Sequence, residues 1–187
     1  AEKTRFYLDQ REQHALVGSL CEGRCVLDGF AHGGAFALQA ARAGAEHVVA
    51  VDTSGTYVKA IGAQAQKNGC FVETIQADVA AFLRERAAGD LDAIILDPPA
   101  IGQIDAAAVE ALHASAFSCL ADGGLLATYC RSTESSVAEF ESCVARAAVA
   151  AGREARIFTR TAQPFDFPLL LNFPESQFLK GLILEVE

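Results

Sequence analysis

Two short runs, Val48-Val49-Ala50-Val51 and Ala93-Ile94-Ile95-Leu96, are almost wholly apolar. A strand that is apolar on both faces must be covered on both faces, as in a parallel sheet held between two layers of helices. The flanking pattern agrees. Strands are predicted at 24–30, 47–52, 71–76, 91–97 and 124–130, and helices near 34–44, 55–68, 78–88, 105–119 and 134–151. Strictly alternating strands and helices make a doubly wound α/β sheet. At 187 residues the chain is expected to be one domain that buries about 70% of its unfolded surface.

The last part breaks the alternation. Strands at 153–161 and 178–185 are joined by Gln163-Pro164-Phe165-Asp166-Phe167-Pro168 and Asn172-Phe173-Pro174-Glu175, with no room for a helix. Without a crossover helix the last strand is expected to run antiparallel. The full expectation is a seven-stranded, mostly parallel, Rossmann-like sheet with an antiparallel last strand. That layout belongs to class I methyltransferases, whereas a dinucleotide-binding domain would continue with strand and helix.

In doubly wound sheets the ligand sits beyond the carboxyl ends of the strands, where strand order reverses. The chemistry-bearing residues cluster at these ends. The first strand runs into Asp28-Gly29-Phe30-Ala31-His32-Gly33-Gly34-Ala35-Phe36, whose glycines let a ligand approach the backbone. It is not G-x-G-x-x-G, so no pyrophosphate cradle is indicated. Asp28 could hold an ammonium group, and Gly34 could open the next helix. Asp52 ends the second strand, where an acid can take both ribose hydroxyls or cap the following helix. Both NAD and S-adenosyl-L-methionine carry that ribose. Asp78 could cap a helix, accept the adenine amino group, or both. Asp97-Pro98-Pro99 is the most specific short motif, because the prolines stiffen the chain just past the strand. The fifth strand ends in Cys130, which reads either as a thiol at the site or as a buried core residue.

These motifs together resemble the catalytic domain of the large-subunit ribosomal RNA cytosine-C5 methyltransferases, the kind usually preceded by a PUA domain. The resemblance spans essentially the whole chain. It runs from Phe6-Tyr7-Leu8-Asp9-Gln10-Arg11 through the strand-end motifs and Gly123-Gly124 to Pro174-Glu175-Ser176-Gln177-Phe178-Leu179-Lys180-Gly181. It implies an S-adenosyl-L-methionine site lined by Asp28, Phe30, Gly34, Phe36, Asp52, Thr53, Asp78, Asp97 and Pro98. A terminal extension, residues 1–22, would close over the site through Gln10 and Arg11. The implied catalytic residues are Cys130, adding to cytosine C6, and Asp97, holding the base edge. Ribosomal RNA is the implied partner, with help from an upstream domain.

The substrate half departs from the family pattern. Asp97-Pro98-Pro99 continues with Ala100-Ile101 where the family has Lys-Phe, and a basic stretch of the next helix is replaced by Val109-Glu110-Ala111-Leu112-His113-Ala114-Ser115. Counting from Gly123-Gly124, the family's nucleophilic cysteine falls on Arg131, and Cys130 comes one residue early. In an extended segment a slip of one residue turns a side chain to the opposite face.

Charge bears on the partner. The net charge is −9, so the chain has no overall basic footprint for nucleic acid. Any RNA contact is expected to be local, near Lys3, Arg5, Arg11 and Arg131, with further affinity from elsewhere. The six cysteines form no CxxC pair or zinc pattern and fit small buried residues of a cytoplasmic protein. No signal peptide, membrane span or metal site is expected. Three other readings remain: a methyltransferase fold with a different or lost substrate, an NAD-dependent oxidoreductase, and a non-catalytic binding module.

Overall fold

The structure is a computed structural model that describes residues 7–99 and 106–187. Phe6, Lys3, Arg5 and Ala100-Ile101 lie outside the described residues. The strands are β1 (Cys25–Gly29), β2 (His47–Asp52), β3 (Glu73–Gln76), β4 (Leu91–Leu96), β5 (Leu120–Arg131), β6 (Ala155–Thr161) and β7 (Leu179–Val186). The helices are α1 (Arg11–Ser19), α2 (Ala35–Arg42), α3 (Gly55–Lys67), α4 (Val79–Arg84), α5 (Ala106–Cys119) and α6 (Val137–Ala150).

The seven strands form one sheet in the order β3-β2-β1-β4-β5-β7-β6. β1 to β5 pair in parallel, and β7 is inserted antiparallel between β5 and β6. This is the predicted layout, and only β7 runs against the rest. The apolar runs explain it. Val49 and Val51 point into one core layer with Leu27, Ile94 and Leu96, while Val48 and Ala50 point into the other with Val26, Ala93 and Ile95. Strands filled on both faces leave no solvated side, so helices must cover both.

The two layers differ in their helices. Phe117 of α5 and Phe140 and Val144 of α6 pack into the first layer. Val17 of α1, Phe36 and Ala40 of α2 and Ile61 of α3 pack into the second. α1 is the element that the sequence pattern did not mark, because its apolar stripe is short. It forms by docking on α2, and Gly18 makes the approach possible: a Cβ there would stand 2.9 Å from Gln39 Cβ. The predicted helix at 78–88 shortens to Val79–Arg84. The predicted strand at 71–76 begins only at Glu73, because Phe71 lies exposed at the surface. β5 begins earlier than predicted, at Leu120, through an irregular register with β4. All six cysteines are free thiols, and Cys21, Cys119 and Cys130 are buried.

Candidate functional site at the carboxyl edge of the sheet

Strand order reverses between β1 and β4, and the acidic motifs meet there. At the end of β1, Asp28 is buried and its carboxylate accepts the Ala37 N–H at 2.9 Å. Burial pushes its pKa up to about 7 against the Ala37 hydrogen bond, and the nearby Asp97 and Asp52 charges push the same way. The following loop holds Phe30 (φ 62°) and His32 (φ 47°) in the left-handed region, a conformation that side-chain-bearing residues keep only where surrounding structure enforces it. Gly34 is also left-handed, and a Cβ there would lie 2.7 Å from Ile61 Cγ1, so this position requires glycine.

Asp52 shapes the same loop. Its carboxylate accepts the His32 N–H at 2.9 Å and the Ser54 N–H at 2.8 Å. It does not cap α3 through its own side chain in the N-cap position, which Ser54 occupies. Thr53 follows as an exposed residue, its carbonyl accepting from Gln76 Nε2. Asp78 is the N-cap of α4, accepting the Ala81 N–H at 2.8 Å, and it stays exposed beside the end of β3. Its capping role is therefore established, and Oδ1 is the oxygen that serves it.

Asp97 follows β4, with Pro98 buried behind it. Burial raises the Asp97 pKa, and the Arg131 guanidinium opposes that. Arg131 is the centre of a polar cluster. Its Nη1 donates to Asp9 Oδ2 at 2.5 Å, its Nη2 donates to Gln10 Oε1 at 2.5 Å, and its Nε lies 3.6 Å from Asp97 Oδ1. The guanidinium also lies 4.1 Å from the centre of the Tyr7 ring. Tyr7 in turn meets His32 at 5.0 Å between ring centres, and His32 meets Tyr57 of α3 at 4.3 Å. The N-terminal turn is thus clamped over the β1 loop by one arginine at the end of β5.

A small cavity of about 20 Å³ lies beneath this turn, with room for about one water. Tyr7, Gln10, His14, Asp28, Phe30, His32, Phe36 and Asp97 line it, so five of the residues expected at the site do converge. His14 stacks edge-on against Phe36 at 4.4 Å, and burial followed by the Arg131 charge lowers its pKa to about 4. Sequence assigns no individual role to Tyr7, Asp9, His14, His32 or Tyr57. The run Tyr7-Leu8-Asp9-Gln10 carried the only signal for the first two.

Three expectations are corrected. Arg11 does not enter the cleft; it pairs with Asp166 of the β6–β7 loop and with Glu12. Neither Arg11 nor Arg131 is a free basic contact for RNA, since both are already paired with carboxylates. Cys130 is 1% exposed and packs in the core layer of Phe140 and Val144, whereas Tyr129 lies in the opposite layer, stacked on Phe36 at 5.2 Å. The pleat puts Arg131, not the thiol, on the cleft side. Burial also pushes the Cys130 pKa up, which Lys180 only partly opposes, so the thiolate needed for nucleophilic attack is disfavoured.

The donor set can be compared with known proteins. A model of the family described as Conserved hypothetical protein 95 matches residues 10–158. The chain belongs to this family. The match takes in every strand end that builds the cleft, from Gln10 to Arg131, and stops inside β6. Among curated relatives, the chain is 37% identical over 193 residues to Ribosomal RNA large subunit methyltransferase I of Aeromonas salmonicida, covering 97% of this chain and 49% of that protein. It therefore spans about half the length of the curated relatives it matches. A solved structure assigned as a SAM-dependent methyltransferase from Streptococcus mutans superposes with a TM-score of 0.87 at 21% identity, covering 98% of this chain and 50% of that one. SMU.776, assigned as a methyltransferase and complexed with SAH, gives 0.84 at 21% identity over 97% of this chain and 50% of that one. The fold is that of class I methyltransferases. Among the described residues, no cluster of metal-ligating side chains occurs, and no helix is long and apolar enough to cross a membrane.

Proposed function

We propose that this chain is the methyl-transferring domain of an S-adenosylmethionine-dependent enzyme acting on large-subunit ribosomal RNA. The observation that carries the reading is the row of acids at successive strand ends, Asp28, Asp52, Asp78 and Asp97, in a chain 37% identical to a ribosomal RNA methyltransferase over 97% of its length. The residues fit the cofactor. A carboxylate at the end of β2 suits a ribose diol, buried Asp28 suits an ammonium group, and Asp78 at the end of β3 can accept from the adenine amine. Gln10 and the Tyr7–His14 segment, residues of the proposed 1–22 extension, cover the inner end and exclude water.

When bound, the cofactor supplies a methyl group on a sulfonium. Around it, Asp97 is placed to orient the acceptor's polar edge. Its carboxylate has a raised pKa, which suits it to take a proton from the acceptor at an oxygen beside Arg131. Pro98 and Pro99 hold that edge rigid. An RNA base would have to be unpaired or flipped to reach this depth. Whether a domain upstream of residue 1 adds RNA affinity belongs to the same proposal, and the acidic charge of this chain supports it.

Cytosine C5 is the finer reading of the target. Its chemistry needs a thiolate at C6 of the base, because C5 is otherwise a poor nucleophile. The inward-facing Cys130 and the cleft-facing Arg131 favour a second reading, in which the same cofactor site serves an acceptor that needs no thiol adduct. Transfer of labelled methyl groups from S-adenosylmethionine to large-subunit ribosomal RNA, followed by mapping of the modified nucleotide, tests both. A mapped 5-methylcytosine whose formation requires Cys130 establishes the C5 reading. Transfer to another atom establishes the second. Absence of S-adenosylhomocysteine binding would overturn the assignment altogether.

A further inference from the structure

A second and much larger cavity opens at the same carboxyl edge of the sheet, on the other side of β5 from the acidic cleft. It measures about 420 Å³, inside the range of small-molecule sites (roughly 300–1,000 Å³). Three elements frame it: the loop from β5 into α6, the end of β6, and the start of β7. Its walls are of two kinds. Val137, Phe140 and Leu182 form an apolar side, and Thr133 and Ser135 bring hydroxyls.

Lys180 makes this cavity unusual. It lines the space yet is only 8% exposed. Its ammonium donates to the Ser132 carbonyl, and among the described residues no carboxylate lies within 4 Å of it. The neighbouring acids are engaged elsewhere: Glu139 closes the capping box of α6 with Ser136, and Glu141 binds Arg160. An ammonium taken out of water without a counter-charge is costly, and one carbonyl satisfies only one of its three donors. Thr161 Oγ1, buried without a hydrogen-bond partner, lies on the opposite face of the sheet against Gly181 and Tyr129 and takes no part in this cavity. An unneutralised cation with unfilled donors on the wall of a cavity asks for an acceptor.

We propose that this cavity binds a nucleotide, with its phosphate on Lys180 and the hydroxyl loop and its base against Phe140 and Leu182. The occupant is a nucleotide of the RNA that flanks the methylated one. Register supports this: Lys180 pairs with Cys130 across the β5–β7 ladder, next to Arg131, so the cavity and the cleft flank one ridge of the sheet. A strand crossing that ridge would place one nucleotide on each side. The phosphate chemistry stands on the cavity alone, and the assignment to RNA rests on the methyltransferase reading.

The test uses the 187-residue chain with 5′-CMP, cytidine, hexacytidylate and S-adenosylhomocysteine, each measured by calorimetry. CMP should bind at least tenfold more tightly than cytidine, and hexacytidylate should displace it. Lys180→Met should weaken CMP at least tenfold while S-adenosylhomocysteine affinity stays within twofold. Val137→Trp, at a half-exposed position, should block CMP by filling the space, and it serves if Lys180→Met does not fold. The proposal is overturned if CMP binds equally to both variants or is displaced by S-adenosylhomocysteine. CMP binding that hexacytidylate fails to displace overturns the RNA assignment. A chain that binds CMP but not S-adenosylhomocysteine would overturn the methyltransferase reading and leave the phosphate site standing.

Discussion

Single carboxylates define the cleft, and each makes a separate prediction. Asp52 already organises the backbone of the β1 and β2 loops through His32 and Ser54, and the proposed ribose contact would use its remaining lone pairs. Asp52→Ala should weaken S-adenosylhomocysteine by about 1.5–3 kcal/mol, the scale of hydrogen bonds to a charged group. Calorimetry on the folded variant decides it, and an affinity within twofold of wild type would remove Asp52 from the site. Asp28 adds a pH dependence. Its pKa in the fold, about 7, lies above the ordinary carboxylate value of 3.8. The folded state therefore holds a proton that the unfolded chain has released between those values, and stability contributed by Asp28 declines as pH rises through 7. The ionised form is the one that attracts an ammonium, so cofactor-product affinity should rise between pH 6 and 8. Asp28→Asn should flatten that rise, and an equal slope in both proteins would exclude Asp28 as its origin. Cys130 makes the third. With its sulfur in the core on the far side of the sheet, Cys130→Ala should lower the melting temperature, costing about 1 kcal/mol. S-adenosylhomocysteine affinity should not change, and methyl transfer should persist. Loss of transfer in a stably folded variant would restore the thiol as nucleophile.

At the scale of elements, the clamp over the cleft is built by α1 and the turn before it, held from below by α2 and from the side by β5. Gly18 sits where α1 and α2 touch, and a side chain there must push Gln39 away. Gly18→Leu should destabilise the fold by about 1–3 kcal/mol, the usual cost of overpacking. It should also loosen the Tyr7–Gln10 turn, faster amide exchange over α1 being the direct readout. An unchanged melting temperature would show that α1 is not anchored through this contact. The opposite layer has its own fixed point. His113 of α5 spans from the Val109 carbonyl to the Thr128 hydroxyl, 2.7 Å on each side, tying α5 to β5.

The whole molecule is acidic, with a net charge of −9, and the guanidinium at the cleft, Arg131, is ion-paired. Arg131 at the cleft is paired with Asp9, and Arg11 outside it with Asp166, so neither offers a polyanion an unpaired charge. RNA binding by this chain alone should be weak and fall steeply with salt, because phosphate contacts release counterions. Filter binding of a structured large-subunit ribosomal RNA fragment between 50 and 200 mM salt measures it. Tight, salt-insensitive binding would contradict this electrostatic account. A fragment carrying additional sequence upstream of Ala1 should bind more tightly if the partner domain supplies affinity.

Sequence alone determined the architecture and the positions of the acids, because both are periodic or local. Doubly apolar runs require a covered parallel sheet, and Asp28, Asp52, Asp78 and Asp97 follow strands that the same pattern marks. The missing crossover helix before 178 was enough to reverse β7. The roles of α1 and Arg131 were decided only in three dimensions. A short helix with a weak apolar stripe forms because α2 offers it a surface, which no local pattern records. A guanidinium is a surface charge in sequence until Asp9, Gln10 and Asp97, up to 122 residues away, are folded around it. The facing of Cys130 depended on the pleat of β5 at its last residues, where one position separates a cleft from a core.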